Sequence, residues 1–343
     1  MERNNKIFAA GYFDPMPHMA ARRESFTRVI SRYLDSLCEV YYPWPGVINA
    51  RGFSENAEVM RDQLVEDLKW CRAHGLTLDF LVNGTCYGDK TFTIAQRDEL
   101  CGIIETMRAA GILPEVVTTA SIYVAKILRT EYPDIEIRAS VNWQMNSTLA
   151  LEYLGDLIDS FYLCRDLQRD FSMLERFKKW ADDHGKKMCL LANSGCIRNC
   201  PGKTLHETVI AHDAEWNKEA IRLNFPAQYC ETVYMNDSPE EFLRSTWIRP
   251  EDIHLFEPYV SVFKLSTRKV PNPDEILKAY SSRSYDGDLA RIMDPGHRFG
   301  IHKIDNKSFP ADWAQSGVAG ICANMCTHCG KCTATMRRVK KLR

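Results

Sequence analysis

Cysteines are the residues of this chain whose type and spacing suit them for chemistry. In ANSGCIRNCPGKTLH, Cys196 and Cys200 are separated by three residues, and His206 follows on an expected helix. Two thiolates so spaced can share one iron-sulfur cluster or one zinc, and Gly195 and Pro201 shape a loop able to offer amides to cluster sulfurs. The alternative is a pair of ordinary buried cysteines. Further ligands must come from elsewhere: Cys230 in PAQYCETV and Cys86 in NGTCYG both fall on expected loops. Four thiolates complete a 4Fe-4S set. A second concentration, ICANMCTHCGKC, spaces Cys322, Cys326, Cys329 and Cys332 as C-x3-C-x2-C-x2-C. That spacing predicts a second cluster, with structural zinc as the alternative.

The first three tail cysteines also match the C-x3-C-x2-C pattern of radical S-adenosylmethionine enzymes. Position argues against that reading. The motif belongs in a loop after an early barrel strand, and Cys332 is poised to close the iron such a cofactor needs open. Thirteen cysteines in 343 residues would mean disulfides in a small secreted domain, whereas in a reducing compartment they point to metal or redox chemistry. The start, MERNNKIFAAGYFDPMP, has no long apolar core behind a basic segment, and no later stretch approaches the roughly 20 apolar residues that span a bilayer. The expectation is a soluble, cytoplasmic protein without a membrane partner. Lys and Arg number 44 against 45 Asp and Glu, so net charge gives no reason to expect nucleic acid. RNA remains an unsupported partner, to be met at most by the terminal RRVKKLR, which reads first as a solvated helix end.

The elements that must position these thiols follow from hydrophobic period. Eight short runs rich in Val, Ile, Leu and aromatics recur, at 7–11, 38–42, 78–82, 115–119, 136–141, 160–163, 187–191 and 260–265. Amphipathic stretches such as 55–74 and 96–110 separate them, with Gly75, Gly111 and Gly185 at expected helix ends. Eight βα units predict an α/β fold, a (β/α)8 TIM-type barrel over 1–285. An open doubly wound sheet is the runner-up, disfavoured because no G-x-G-x-x-G turn follows the first strand. About seventy residues separate the last two strands, an interval long enough to carry function. This insertion, 192–258, holds Cys196, Cys200 and Cys230, and 286–343 forms a cysteine-rich extension.

Reactive groups of such barrels lie on loops leaving the C-terminal strand ends, where this chain places Asn83, Asn142, Arg165, Asn193 and Arg268. With His206 they form the expected pocket lining, although strand ends also turn polar simply on meeting water. No H-E-x-x-H, G-x-S-x-G or P-loop pattern occurs, so zinc hydrolysis, serine esterase chemistry and nucleotide hydrolysis have no specific support.

GCIRNCP with His206 downstream, WIRPEDI at 247–253 and VFKLSTR at the eighth strand together resemble the U32 collagenase-like peptidase family, over about residues 6–332. The resemblance implies a barrel and, from several family members, oxygen-independent hydroxylation of ubiquinone precursors or RNA pyrimidines, with a four-cysteine 4Fe-4S cluster and prephenate as oxygen source. Cys196, Cys200 and Cys230 correspond in kind to the cluster cysteines after the seventh strand; the tail cysteines resemble a separate branch. On that basis Arg165 and Arg268 would hold a carboxylate such as prephenate's. The expected function is a cytoplasmic iron-sulfur oxidoreductase of a small aromatic molecule or RNA base, with one or two clusters and an electron-donor or hetero-oligomeric protein partner. Two alternatives from other classes are a peptidase or hydrolase, and a non-catalytic iron-sulfur binding partner.

Overall fold

The computed structural model describes residues 6–14, 24–50, 61–212, 230, 233, 239–296, 301–314 and 326–343. Eight parallel strands run in chain order: β1 (Phe8–Gly11), β2 (Leu37–Tyr42), β3 (Thr77–Val82), β4 (Val116–Thr119), β5 (Glu136–Ala139), β6 (Ser160–Tyr162), β7 (Lys187–Leu191) and β8 (Val262–Leu265). Strand β1 pairs with β2 on one side and β8 on the other, opposing Phe8 to Phe263 and Ala9 to Lys264. The sheet is therefore a closed (β/α)8 barrel, and the open doubly wound alternative is excluded. All eight expected strands are present. The fifth stops at Ala139 rather than residue 141, because Ser140 accepts a hydrogen bond from the Asn142 amide and starts a 3-10 turn over Val141–Trp143. The eighth begins at Val262 because the segment Glu257–Tyr259, with Pro258 inside it, is another such turn.

Helices over Arg61–Ala73, Ile94–Ala109, Ile122–Glu131 and Phe171–Asp183 carry the chain back between strands. Their apolar faces, with Leu68, Ile104, Leu128 and Phe177 fully buried, pack on the outward strand residues Val40, Leu78, Val117 and Phe161. Gly75, Gly111 and Gly185 end helices at positive φ, as their positions predict. Among the described residues no helix is long and apolar enough to cross a membrane.

The inward strand faces are different. Two small apolar clusters, Ala9/Tyr41/Leu81 and Val141/Tyr162/Cys189/Leu191, stand apart from the main core. Alongside these patches lies buried charge. Arg138 of β5 donates to both Glu39 carboxylate oxygens at 2.8 and 2.9 Å, to Glu136 at 3.0 Å and to Ser160 at 3.0 Å. Asp79 lies 3.7 Å from the same guanidinium and takes the Thr118 hydroxyl at 2.7 Å. Desolvation, then the neighbouring Glu39, pushes the Asp79 carboxyl up from the carboxylate range. Removing one partner of such a buried set leaves an uncompensated charge, so Arg138 is the fixed point of the interior.

The described residues beyond 285 fold back on the barrel. Trp313 stacks 6.1 Å from Trp247, and the Arg169 guanidinium sits over both rings at 5.6 and 5.0 Å. Strand β9 (His302–Ile304) pairs antiparallel with β10 (Lys340–Leu342). The basic end of the chain is thus partly built in, with Val339 buried and Arg343 paired to Asp288 at 3.0 Å.

Burial opposes ionisation of Glu136, but Arg138, then Lys187 and Ser160, overcome it and hold this carboxyl at about 2 instead of 4.5. A depressed carboxyl contributes stability above its unfolded value and loses it as pH falls through the folded one. Glu136→Gln should therefore cost about 3 kcal/mol at neutral pH. It should also flatten the acid loss of stability between pH 4.5 and about 2. Urea unfolding at several pH values reads both; an unchanged acid slope would contradict the assignment.

Candidate functional site

The C-terminal strand ends open into one cavity of about 120 Å³. Three elements build its thiol wall. After β7 the chain forms a short parallel bridge from Ser194 to Asp294, and the Gly195 amide donates to the Asp294 carbonyl at 2.8 Å. A Cβ at Gly195 would lie 2.4 Å from the Pro295 carbonyl oxygen, so only glycine allows this approach. Between the two cysteines, Asn199 takes a positive φ of 54° and its amide donates to Asp166 at 3.0 Å. The Thr246 amide donates to the Cys196 carbonyl at 3.3 Å. Held this way, Cys196 and Cys200 line the cavity, and so does Cys230. Burial pushes the Cys200 thiol up, with nearby Cys196 adding to the effect.

Basic residues share the cavity lining. From β8, Lys264, Ser266 and Arg268 face the cavity at the two-residue strand period. Arg268 donates to Asn49 at 3.2 Å and is 9% exposed. A Cβ on Gly11 would fall 2.6 Å from the Arg268 side chain and 2.5 Å from the Tyr41 ring, so β1 ends in glycine where those two approach. On the third side Arg165, which starts the turn after β6, donates to Glu207 at 2.6 Å. Burial raises the Glu207 carboxyl, opposed by Arg165 and Lys203. Lys203 also lies 3.6 Å from Asp166.

Of the expected lining, Asn83, Asn142, Arg165, His206 and Arg268 all face this cavity. Asn193 does not line it. Its side chain is fully buried and spent on backbone, donating to the Ser266 and Ile292 carbonyls at 3.1 Å each and accepting from the Ser266 amide at 2.7 Å. It ties β7 to β8 and to the C-terminal extension. Cys86 is half-buried after β3 and is not part of the cavity wall. The expected four-thiolate set is therefore three cysteines on one wall plus one outside it. Among the described residues, no three His, Cys, Asp or Glu side chains stand close enough together to hold a metal ion as placed. In the tail, Cys322 and the Cys326 side chain lie outside the described residues; Cys329 is exposed and Cys332 half-buried.

Sequence reasoning passed over Lys264 and Lys203. Lys264 sits inside an apolar strand rather than at its end, and a lysine pointing into a barrel within VSVFKLSTR was the available signal. Lys203 was hidden in the helix that follows the cysteine loop.

A curated relative described as uncharacterized protease MJ1657, from Methanocaldococcus jannaschii, is 21% identical over 315 residues, covering 89% of each chain. The solved structure of the U32 peptidase Mk0906 superposes with a TM-score of 0.51 at 16% identity, covering 78% of this chain and 96% of that one. The resemblance to the U32 collagenase-like family holds. No family model matches the chain. At that identity the solved U32 structure speaks for the barrel alone.

Asn193→Ala should cost on the order of 3 kcal/mol in urea unfolding, since it orphans buried backbone groups. Full stability together with lost ligand binding would instead return Asn193 to the pocket.

Proposed function

We propose that this U32-like chain is an enzyme that binds a small carboxylate-bearing molecule in the barrel mouth, beside thiols that ligate a redox iron-sulfur centre. The observation that carries the reading is the cavity's composition: Cys196, Cys200 and Cys230 line it together with Lys264 and Arg268. Soft thiolates gathered at one site are what an iron-sulfur centre requires, and paired cations are what a carboxylate requires. Three thiols share the cavity such a centre would occupy, and Cys86 stands outside its lining. A bound cluster would supply one-electron chemistry next to the substrate. The chain's own residues orient the substrate through Arg268 and Lys264, while the Arg165–Glu207 pair closes the wall behind it. A small aromatic acid suits the Tyr41 and Tyr162 rings on the same cavity; an RNA base would need to enter it flipped out of its strand. An electron-donor protein is the partner this chemistry calls for.

A hydrolase is the second reading, favoured by the description of one relative as a protease and the other as a peptidase, and by the presence of His206 in the same cavity as Cys200. It requires a thiolate at neutral pH, whereas burial moves Cys200 the other way.

Protein purified without oxygen should be brown and carry iron and acid-labile sulfide. Cys196→Ser, Cys200→Ser and Cys230→Ser should each lose most of the visible absorption attributable to the mouth, and Cys86→Ser should keep it. Colourless protein containing zinc only, or peptide hydrolysis that disappears in Cys200→Ser and His206→Ala, would replace this reading with the hydrolase.

A further inference from the structure

Lys264 is a residue the proposed chemistry uses only as a charge, and its surroundings say more. It is 9% exposed, yet among the described residues its ammonium has neither a hydrogen bond nor a carboxylate within ion-pair distance. Its contacts are aromatic faces: the nitrogen lies 3.8 Å from the Tyr41 ring centre and 5.3 Å from that of Tyr162. The two nearest acids are already engaged, Glu39 by both bonds from Arg138 and Asp79 by Thr118. The open direction is the cavity, whose wall includes Lys264 and, two strand steps towards the mouth, Arg268.

A buried, unpaired amine aimed into a pocket is costly to keep charged, and a fold retains one where the amine itself reacts or meets a ligand. We infer that Lys264 is the nucleophile of a Schiff-base site for an oxo acid, its nitrogen condensing with the carbonyl while Arg268 holds the carboxylate. The free amine attacks the carbonyl carbon; a C–N bond forms, the carbonyl oxygen leaves as water with the two amine protons, and no oxidant is needed. Burial supports this by drawing the Lys264 ammonium down from its ordinary value, with Arg138 and Arg268 acting the same way against Asp79 and Glu39. Tyr41, Tyr162 and Cys189 complete the titratable groups facing it: burial raises Tyr162 and Cys189, and the Tyr41 hydroxyl donates to the Leu265 carbonyl. The inference rests on the barrel mouth being the substrate site, but not on iron.

The test is reductive trapping on protein prepared both without metal and anaerobically, using pyruvate and cyanoborohydride, followed by peptide mapping. A single adduct on Lys264 is expected, forming faster as pH rises towards 8 and lost in Lys264→Arg. Acetone, which lacks the carboxylate, should label Lys264 far less, and Arg268→Gln should abolish that preference. Lys264→Met should melt at or above the wild-type temperature, because it removes an unpaired buried charge, which separates lost trapping from lost folding. Adducts spread over exposed lysines with Lys264 unmodified in folded wild-type protein would overturn the inference. Trapping that succeeds in colourless protein would uphold it while the iron-sulfur reading fails; brown protein without trapping would do the reverse.

Discussion

The contacts that Arg138 makes inside the barrel are the constraint on which the other features turn. A TIM barrel interior is ordinarily filled by layers of branched apolar side chains. Here, part of that space is given to Glu39, Asp79, Glu136 and Arg138, one guanidinium against three carboxyl groups from β2, β3 and β5. Such a layer is tolerable only while its carboxylates are hydrogen-bonded, and Ser160 and Lys187 donate to Glu136 while Thr118 donates to Asp79. Because Arg138 takes both oxygens of Glu39, the next cation around the barrel, Lys264, is left to the aromatic rings and the cavity. The position of the reactive amine follows from how the interior charge is divided.

The cavity wall depends on a second constraint, the return of the chain after β8. Asp294 and Pro295 lie against Ser194 and Gly195, and Ser266 donates to the Asp294 carboxylate at 2.6 Å. The cysteine loop, the basic strand and the C-terminal extension are thereby locked to one another, with Asn193 as the shared backbone clamp. A cluster, a thiol nucleophile or a carboxylate would each meet the same rigid corner of the barrel, which is where U32 relatives and this chain are to be compared residue by residue.

The barrel was legible because its signals are local. Val, Ile and aromatic runs of three to six residues report strands, and Gly75, Gly111 and Gly185 report helix ends, without reference to anything distant. Cavity residues at loop starts, such as Asn83, Asn142 and Arg268, were legible from position alone. Position misleads where a polar side chain turns inward: Asn193 carries the same signature as Asn83 but bonds backbone from β8 and the extension, partners about 70 to 100 residues away. Cys86 likewise has a loop address but does not line the cavity. Lys264 failed to register because alternation along a strand hides which face is a core and which is a pocket, and in a closed barrel that is decided by seven other strands.

The most direct test of the account is a pH titration of Lys264 followed by NMR on protein labelled at lysine Cε, the signal assigned with Lys264→Arg. The prediction is a midpoint well below the free-lysine value of 10.5, moving lower still in Asp79→Asn, because the carboxylate that opposes the shift is gone. A midpoint at or above the free value, unmoved by Asp79→Asn, would mean that Lys264 is an ordinary paired ammonium and that the division of charge around Arg138 does not prepare the cavity floor.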